Sequence, residues 1–303
     1  MAEREHVSRE PLVSIITVHF NQIDVTLALL QSTRQLLHRN VEILVVDNGS
    51  VEQPLTPALL APFPNARLIT SADNLGFAGG NNLAMKQAKG DFFLLINNDT
   101  EVTPDLIGEL LRPAASDATI GVVCPKIRYF SQPDMIQYAG YRPLNVLTGQ
   151  TTCYGTHQAD VGQFDQSGPT AFAHGAAMLI ARAVWERVGG MHEPYFLYYE
   201  ELDWSHRIRR AGFTIYYQAT ALIYHKESIS VGKASPNKVY YLTRNRLYFM
   251  RRCTTPAQRR LFMLYFGFVA LPKHLLAYTL QGRFDYLTAF GRGVIWNITH
   301  PTT

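Results

Sequence analysis

Three carboxylates within four positions, Glu200, Glu201 and Asp203, sit inside an aromatic run at residues 196–204 (FLYYEELDW). Like charges this close raise one another's pKa, and an aromatic frame adds desolvation. Both effects move a carboxylate towards general-base chemistry near neutral pH. A solvated first helical turn is the alternative, because acidic side chains favour that place; the flanking aromatics weigh against it. Asn97, Asn98, Asp99 and Thr100 end a short apolar run. An Asp so placed can bind Mg²⁺ or Mn²⁺, which take oxygen ligands and share their shell with substrate phosphates. A turn residue or a helix N-cap is the plainer account of the same residues, with a helix starting over 100–104. His225 follows another apolar run and is either a ligand or a structural hydrogen-bonder. Arg244, with Arg246, Arg251 and Arg252 behind it, offers guanidinium forks suited to phosphate, or else a solvated basic helix face.

The glycines at 76, 79 and 80, in residues 74–82 (NLGFAGGNN), allow close backbone approach ahead of a helix over 83–88. Such a helix start favours anions. The spacing is neither a GxGxxG after the first strand nor a P-loop, and close helix-on-sheet packing explains it equally well.

The elements that must position these residues alternate. Residues 12–19 (LVSIITVH), 41–47 (VEILVVD) and 92–96 (FFLLI) read as buried strands, short and mostly β-branched or apolar. Residues 24–37 carry Leu27, Leu30, Leu36 and Leu37 at near-helical spacing. This order implies right-handed βαβ units and a parallel sheet, with ligands bound beyond the carboxyl ends of the strands. Asn21, Asp47 and Asn97–Thr100 stand at those ends. Further strands are expected at 122–129, 176–180 and 213–217, and helices at 182–188 and 203–211. Residues 141–168 read as a long loop over a cleft. From Pro236 onward the chain reads as helical and aromatic. Its run at 261–271 is too short to span a bilayer, with Pro272, Lys273 and His274 following, so an interfacial or core helix is expected.

The 303 residues, 47% hydrophobic and 17% charged, describe a globular chain able to bury a full core. The net charge of +4 divides unevenly: residues 226–303 hold twelve Lys/Arg against Glu227 and Asp285, leaving a body of −6 and a tail of +10. An acidic body with a basic tail suggests an anionic surface as partner, or a solvated basic face. Cys124, Cys153 and Cys253 form no CxxC pair and no even disulfide framework, which suits a reducing compartment. The charged first ten residues have no apolar core of a secretory signal.

The order of these motifs resembles the family 2 inverting glycosyltransferases, in particular their bacterial rhamnosyltransferase-like branch. The landmarks run from VSIITVHFN (13–21) through ILVVDNGS (43–50), NLGFAGGNN (74–82), LLINNDT (94–100), FAHGAAMLIARAVWERVGGMHE (172–193) and FLYYEELDWSHRIRRAG (196–212) to YYLTRNRLYFMRR (240–252). The resemblance implies an α/β GT-A fold: a mostly parallel central sheet flanked by helices, with a helical C-terminal extension. A catalytic domain over 1–235 would have a nucleotide-sugar half (11–120) and an acceptor half (121–235), with the extension at 236–303. Thr17, His19 and Asn21 would line a uracil or thymine pocket, and Asp47 would contact base or ribose. Asn74, Gly76, Gly79 and Asn81 would wrap the donor. Asn97, Asn98 and Asp99 take the place of the DxD motif, Asp99 being the principal ligand of Mg²⁺ or Mn²⁺, with Asn97 beside it and His225 completing the shell. Asn97 replaces an Asp, which removes one negative charge.

Glu201 stands where the family's catalytic base is Asp, with Asp203 and Glu200 as fallbacks. His174, Gly175 and Trp204 would meet the donor sugar or acceptor, and Arg244 would stabilise the leaving diphosphate. The implied reaction is inverting transfer of a sugar, foremost L-rhamnose from its dTDP donor with UDP-sugars open, to a saccharide or undecaprenyl-linked acceptor. The place would be the cytoplasmic face of the membrane, through peripheral contact with anionic lipid. No nucleic-acid partner is implied, and the oligomeric state, a dimer included, is open. A sugar nucleotidyltransferase would need a Gly-, Arg- and Lys-rich loop after the first strand, where His19, Phe20, Asn21 and Gln22 stand instead. A non-catalytic sugar- or nucleotide-binding module would have no use for the carboxylate cluster.

Overall fold

The computed structural model describes residues 10–226 and 235–300. The charged start, Glu227 and Ser228 beyond His225, and the last three residues lie outside the described residues. The strands are β1 (Val13–His19), β2 (Val41–Asn48), β3 (Ala66–Ser71), β4 (Phe92–Ile96), β5 (Thr100–Val102), β6 (Ile120–Tyr129), β7 (Gln132–Tyr138), β8 (Gln158–Ala159), β9 (Gly168–Pro169), β10 (Ala177–Ala181) and β11 (Thr214–His225). The helices are α1 (Ile23–Thr33), α2 (Pro57–Leu60), α3 (Gly76–Met85), α4 (Leu106–Ser116), α5 (Arg182–Val188), α6 (Glu200–Arg210), α7 (Pro236–Cys253), α8 (Pro256–Tyr265), α9 (Leu271–Leu280) and α10 (Phe284–Thr299).

All strands join one mixed sheet whose main path runs β3-β2-β1-β4-β10-β6-β11-β5. The first four strands are parallel, β10 runs antiparallel between β4 and β6, and β11 returns parallel to β6. The β-branched and leucine-rich strands need covering on both faces, which is why they read as continuous apolar runs. Val13, Ile16, Leu44, Phe93, Val122 and Ile180 are buried at the centre of this core. The strand-end rule for ligand sites therefore applies to β1, β2 and β4.

Three local departures from the sequence reading have physical causes. Residues 76–82 are themselves the first turns of α3, because the glycines pack against neighbours instead of looping: a Cβ on Gly80 would lie 2.9 Å from the Val18 side chain. Residues 100–102 form β5, not a helix start, since they pair with 223–225 of β11. The apolar run after Pro256 is not short. With a π-helical stretch at Phe266–Ala270 it continues as one helix of 25 residues, Pro256–Leu280, long and apolar enough to cross a membrane. A π-turn just ahead of Pro272 loosens the backbone where proline removes a donor and crowds the preceding turn, so the helix is not broken.

A second apolar core joins the C-terminal helices to the segment leading into α6. Phe172, Tyr195, Tyr199 and Leu202 pack with Leu247, Phe249, Phe262, Phe266 and Phe290.

Candidate active site

The ends of β1 and β2 are locked by their own polar residues. His19 is fully buried, with Nδ1 2.8 Å from Thr26 Oγ1 and Nε2 2.8 Å from the Gln53 carbonyl. A carbonyl only accepts, so Nε2 carries the proton and Nδ1 receives the Thr26 hydroxyl. Asn98 donates to the same Thr26 oxygen at 3.0 Å. Asn21 holds a positive φ of 52°, and its Oδ1 accepts from the backbone N–H groups of Val51, Glu52 and Gln53. Asp47 accepts from the Ser50 and Leu55 N–H groups. These three residues therefore shape the 49–55 loop. The expectation of His19 as a base contact is corrected, since neither ring nitrogen is left for one.

The Gly-rich segment is fixed from the polar end of β2. Asn48 donates to Asn74 Oδ1 and the Gly76 carbonyl at 3.1 Å each and accepts from Leu75 N–H. Gly76 is required twice: its φ is +70°, and a Cβ there would lie 2.2 Å from the Phe196 carbonyl oxygen. A Cβ on Gly79 would lie 2.6 Å from that of Leu75. Asn81 donates within its own helix to the Phe77 carbonyl. Asn82 ties α3 to the segment before α6 through Met191 and Glu193.

At the end of β4, Asn97 donates its backbone N–H to Ala176, and Asp99 is buried. The pairing of β5 with β11 brings His225 opposite Thr100, so that His225 Nε2 comes to 3.0 Å from Asp99 Oδ1. That distance suits an ion pair, yet both atoms lack a hydrogen bond of acceptable geometry. His225 Nδ1 lies 2.8 Å from Gln137 Oε1. Gln137 in this orientation accepts, so Nδ1 carries a proton, and Nε2 faces the carboxylate as an N–H in the imidazolium or as a lone pair in the neutral ring. In the neutral ring the two buried acceptors would repel unless a cation lay with them. An oxygen and an imidazole nitrogen, the latter oriented by a hydrogen bond at its other nitrogen, are a donor set for a divalent ion. No group of three or more potential metal-binding side chains exists among the described residues.

Glu200 and Glu201 open α6 after an unusual turn. Phe196, Tyr198 and Tyr199 have φ of 64°, 70° and 74°. Leu197 N–H donates to the Tyr195 carbonyl at 2.7 Å across Phe196 at φ 64°, ψ −56°. This is a γ-turn with positive φ at its centre, the rarer and strained form. Each such residue costs about 1–3 kcal/mol and persists only when its surroundings impose it. Glu200 is 3% exposed, with Oε2 unpartnered. Burial, reinforced by the charge of Glu201, holds its carboxyl well above the usual range. Burial pushes Glu201 up to about 7, against a partial offset from the backbone N–H groups of Glu201 and Tyr199.

His174 connects the two poles. Its ring packs at 4.9 Å from Tyr138 and 5.9 Å from Tyr141. Burial pushes its imidazole down to about 3. Tyr141 in turn feels the charge of Glu201. At Gly175 the protein leaves room for a side chain, the nearest atom to a Cβ being the Phe77 ring at 3.8 Å.

Among the described residues, four of the six buried side-chain polar atoms without a hydrogen bond belong to Thr17, Asp99, Glu200 and His225, all singled out from the sequence. Three other expectations are corrected. Asp203 is no fallback base: it is fully buried, with Oδ1 2.8 Å from Arg207 Nε and Oδ2 3.1 Å from both Arg252 Nε and the Tyr195 hydroxyl. Burial works to raise its carboxyl, but the hydrogen bonds of Arg207 and Cys253 and the charges of Arg207 and Arg252 leave it below the ordinary value. Trp204 is 1% exposed and donates its indole N–H to Gly189, so it meets no sugar. Arg244 is 7% exposed, donates to the Pro194 and Tyr195 carbonyls and to Asn245 Oδ1, and is no open fork for a diphosphate.

Residues 14–188 match the family model described as Glycosyl transferase family 2, more than half of the 303 residues. The chain belongs to glycosyl transferase family 2. It is 27% identical over 222 residues to an N-acetylglucosaminyl-diphospho-decaprenol L-rhamnosyltransferase of Mycobacterium tuberculosis, covering 64% of this chain and 69% of that one. It is 28% identical over 255 residues to protein y4gI of Sinorhizobium fredii, covering 81% of this chain but spanning only 28% of that longer protein. The fold is similar to that of the mannosyltransferase PcManGT from Pyrobaculum calidifontis in complex with GDP-Man and Mn²⁺, at TM-score 0.58 and 14% identity, covering 98% of this chain and 77% of that one. These likenesses agree with a GT-A fold and with glycosyl transfer as the activity of this family 2 enzyme.

Proposed function

We propose that this enzyme transfers a sugar from a nucleoside diphosphate to an acceptor hydroxyl with inversion, using Glu201 as general base opposite a divalent metal at Asp99 and His225. The observation that carries the reading is the unbonded approach of Asp99 Oδ1 and His225 Nε2 at 3.0 Å. Asp99 and His225 would hold Mg²⁺ or Mn²⁺ together with the donor diphosphate, with Asn97 beside them. When bound, such an ion neutralises a departing diphosphate as Lewis acid and template.

The chain's own residues do the rest. Asn48, Asn74 and Gly76 shape the donor-side helix start. Glu201, poised near neutral pH, takes the acceptor hydroxyl proton so that the oxygen attacks the anomeric carbon. His174 stays neutral between the poles and offers its ring to the sugar. The rhamnosyltransferase relative supports dTDP-L-rhamnose as donor and a lipid-linked saccharide as acceptor. For such an acceptor the exposed Leu261, Leu264, Phe268, Val269 and Leu276, with Arg259, Arg260 and Lys273 near them, make a peripheral contact with anionic lipid at the cytoplasmic face. Each such cation contributes about 1 kcal/mol near the leaflet.

Release of nucleoside diphosphate from dTDP- and UDP-sugars, with Mn²⁺, Mg²⁺ or chelator, tests the reading. Metal-dependent release from at least one donor is expected, and release unaffected by chelator contradicts the metal site.

A further inference from the structure

The turn that presents Glu200 and Glu201 is held by a side chain outside the reacting centre. Asn245, fully buried on α7, points Nδ2 at three backbone carbonyls: Tyr195 at 3.0 Å, Leu197 at 2.7 Å and Tyr198 at 2.8 Å. Its Oδ1 accepts from Arg244 Nε at 2.7 Å, and Arg244 reaches the Pro194 and Tyr195 carbonyls from the same side. The Arg244 guanidinium is itself clamped over the Tyr241 and Trp296 rings, at 4.9 and 4.8 Å. The turn is thus tied at Pro194, Tyr195, Leu197 and Tyr198, across the positive-φ residues Phe196 and Tyr198 and next to Tyr199. The Phe196 carbonyl faces the other way and accepts the Phe77 N–H at 2.7 Å, in the first turn of α3. The same strained turn therefore touches the donor-side helix and leads straight into the acidic start of α6.

We propose that Asn245, braced by Arg244, is a positioning residue that imposes the Phe196–Tyr199 turn and through it sets the Glu201 carboxylate against the donor site. An amide is the side chain the place calls for. Its NH₂ can serve the turn's carbonyls, of which only that of Tyr195 also takes a backbone N–H, from Leu197, and its oxygen takes the Arg244 N–H. An Asp of the same shape would turn an acceptor towards three carbonyl oxygens. The claim rests on the reading of Glu201 given above, so Glu201→Gln is the reference in every assay.

The groups acting on Glu201 from its surroundings are Glu200, Tyr141, Tyr198, Tyr199 and Cys153, with Arg244 acting on Glu200. Arg244 is bonded to Asn245, and Tyr198 and Tyr199 belong to the turn it holds; Asn245→Ser adds no charge, so a moved limb in that variant reports displacement of the turn. Asn245→Asp and Asn245→Ser are assayed on the full chain with dTDP-L-rhamnose and UDP-N-acetylglucosamine plus Mn²⁺, following nucleoside diphosphate release against pH. Folding and nucleotide binding are read by thermal shift with and without UDP or dTDP. We expect kcat to fall at least tenfold, a loss in line with displacement of a catalytic group by a fraction of an ångström to an ångström. Donor KM should change less than threefold, and the acidic limb of the pH profile should move. A folded variant with kcat within twofold of wild type and an unmoved limb overturns the proposal. So does a proportional loss of kcat and nucleotide binding with an unmoved limb, and so does failure of both variants to fold, which would make Asn245 a general determinant of the fold. If Glu201→Gln itself retains turnover, the assignment of the base fails, and that result is separate from any effect of Asn245.

Discussion

Nε2 of His225 lies 3.0 Å from Oδ1 of Asp99, both buried and neither in a hydrogen bond. Strand pairing creates this relationship, since β5 and β11 align His225 with Thr100 beside Asp99. A carboxylate oxygen and an imidazole nitrogen are thereby held together away from solvent, and the proposed metal site rests on this pairing.

The first prediction concerns that ion. Gln137 orients His225 from behind at 2.8 Å, and losing such a partner typically weakens metal binding about 10- to 100-fold. Gln137→Ala should therefore weaken Mn²⁺ affinity by that order in the presence of UDP or dTDP, and Asp99→Ala should abolish it. Mn²⁺ titration by calorimetry checks both; unchanged affinity in Asp99→Ala contradicts the ligand assignment.

Stability should depend on pH through the α6 carboxylates. Glu200 and Glu201 both have raised values in the folded chain, Glu201 moving from 4.5 to about 7. The folded state thus retains protons that the unfolded chain releases, and stability falls as pH rises between those values. Glu201→Gln should raise Tm relative to wild type at pH 8, and the gain should vanish below pH 4.5. Thermal melts across that range decide it.

Asp203 should behave in the opposite way. It is fully buried against Arg207 and Arg252, so Asp203→Asn leaves two guanidinium groups without their carboxylate and should cost roughly 3 kcal/mol. Urea unfolding measures this; a loss of turnover without loss of stability would return Asp203 to the list of candidate bases.

Gly76→Ala should disturb donor binding. Its Cβ would fall 2.2 Å from the Phe196 carbonyl at a φ of +70°, so the contact between α3 and the turn before α6 must open. Nucleotide affinity should drop with a stability loss of about 1 kcal/mol or more. Wild-type affinity in this variant would show that the close approach is dispensable.

Much of the candidate site was legible because chemistry and periodicity coincide at strand ends. Asp99, Glu201 and His225 lie at element ends where apolar runs give way to polar residues, and such boundaries are visible in a linear sequence. The misreadings share a different cause: Trp204, Asp203 and Arg244 have the residue types of a site, but partners far along the chain, Gly189, Arg252 and Pro194, turn them inward. Gln137 carries no sequence signal of its own, since an amide matters only through the backbone or ring it meets. Pro272 misled in another way, because a π-turn absorbed the break that proline usually makes.

The most direct test of the account is turnover of Glu201→Gln beside its binding of UDP or dTDP with Mn²⁺. The account predicts turnover reduced about 10²- to 10⁴-fold, the usual contribution of a positioned general base, with nucleotide and metal stabilisation of the fold unchanged. Near-normal turnover, or loss of nucleotide binding in step with turnover, would contradict it.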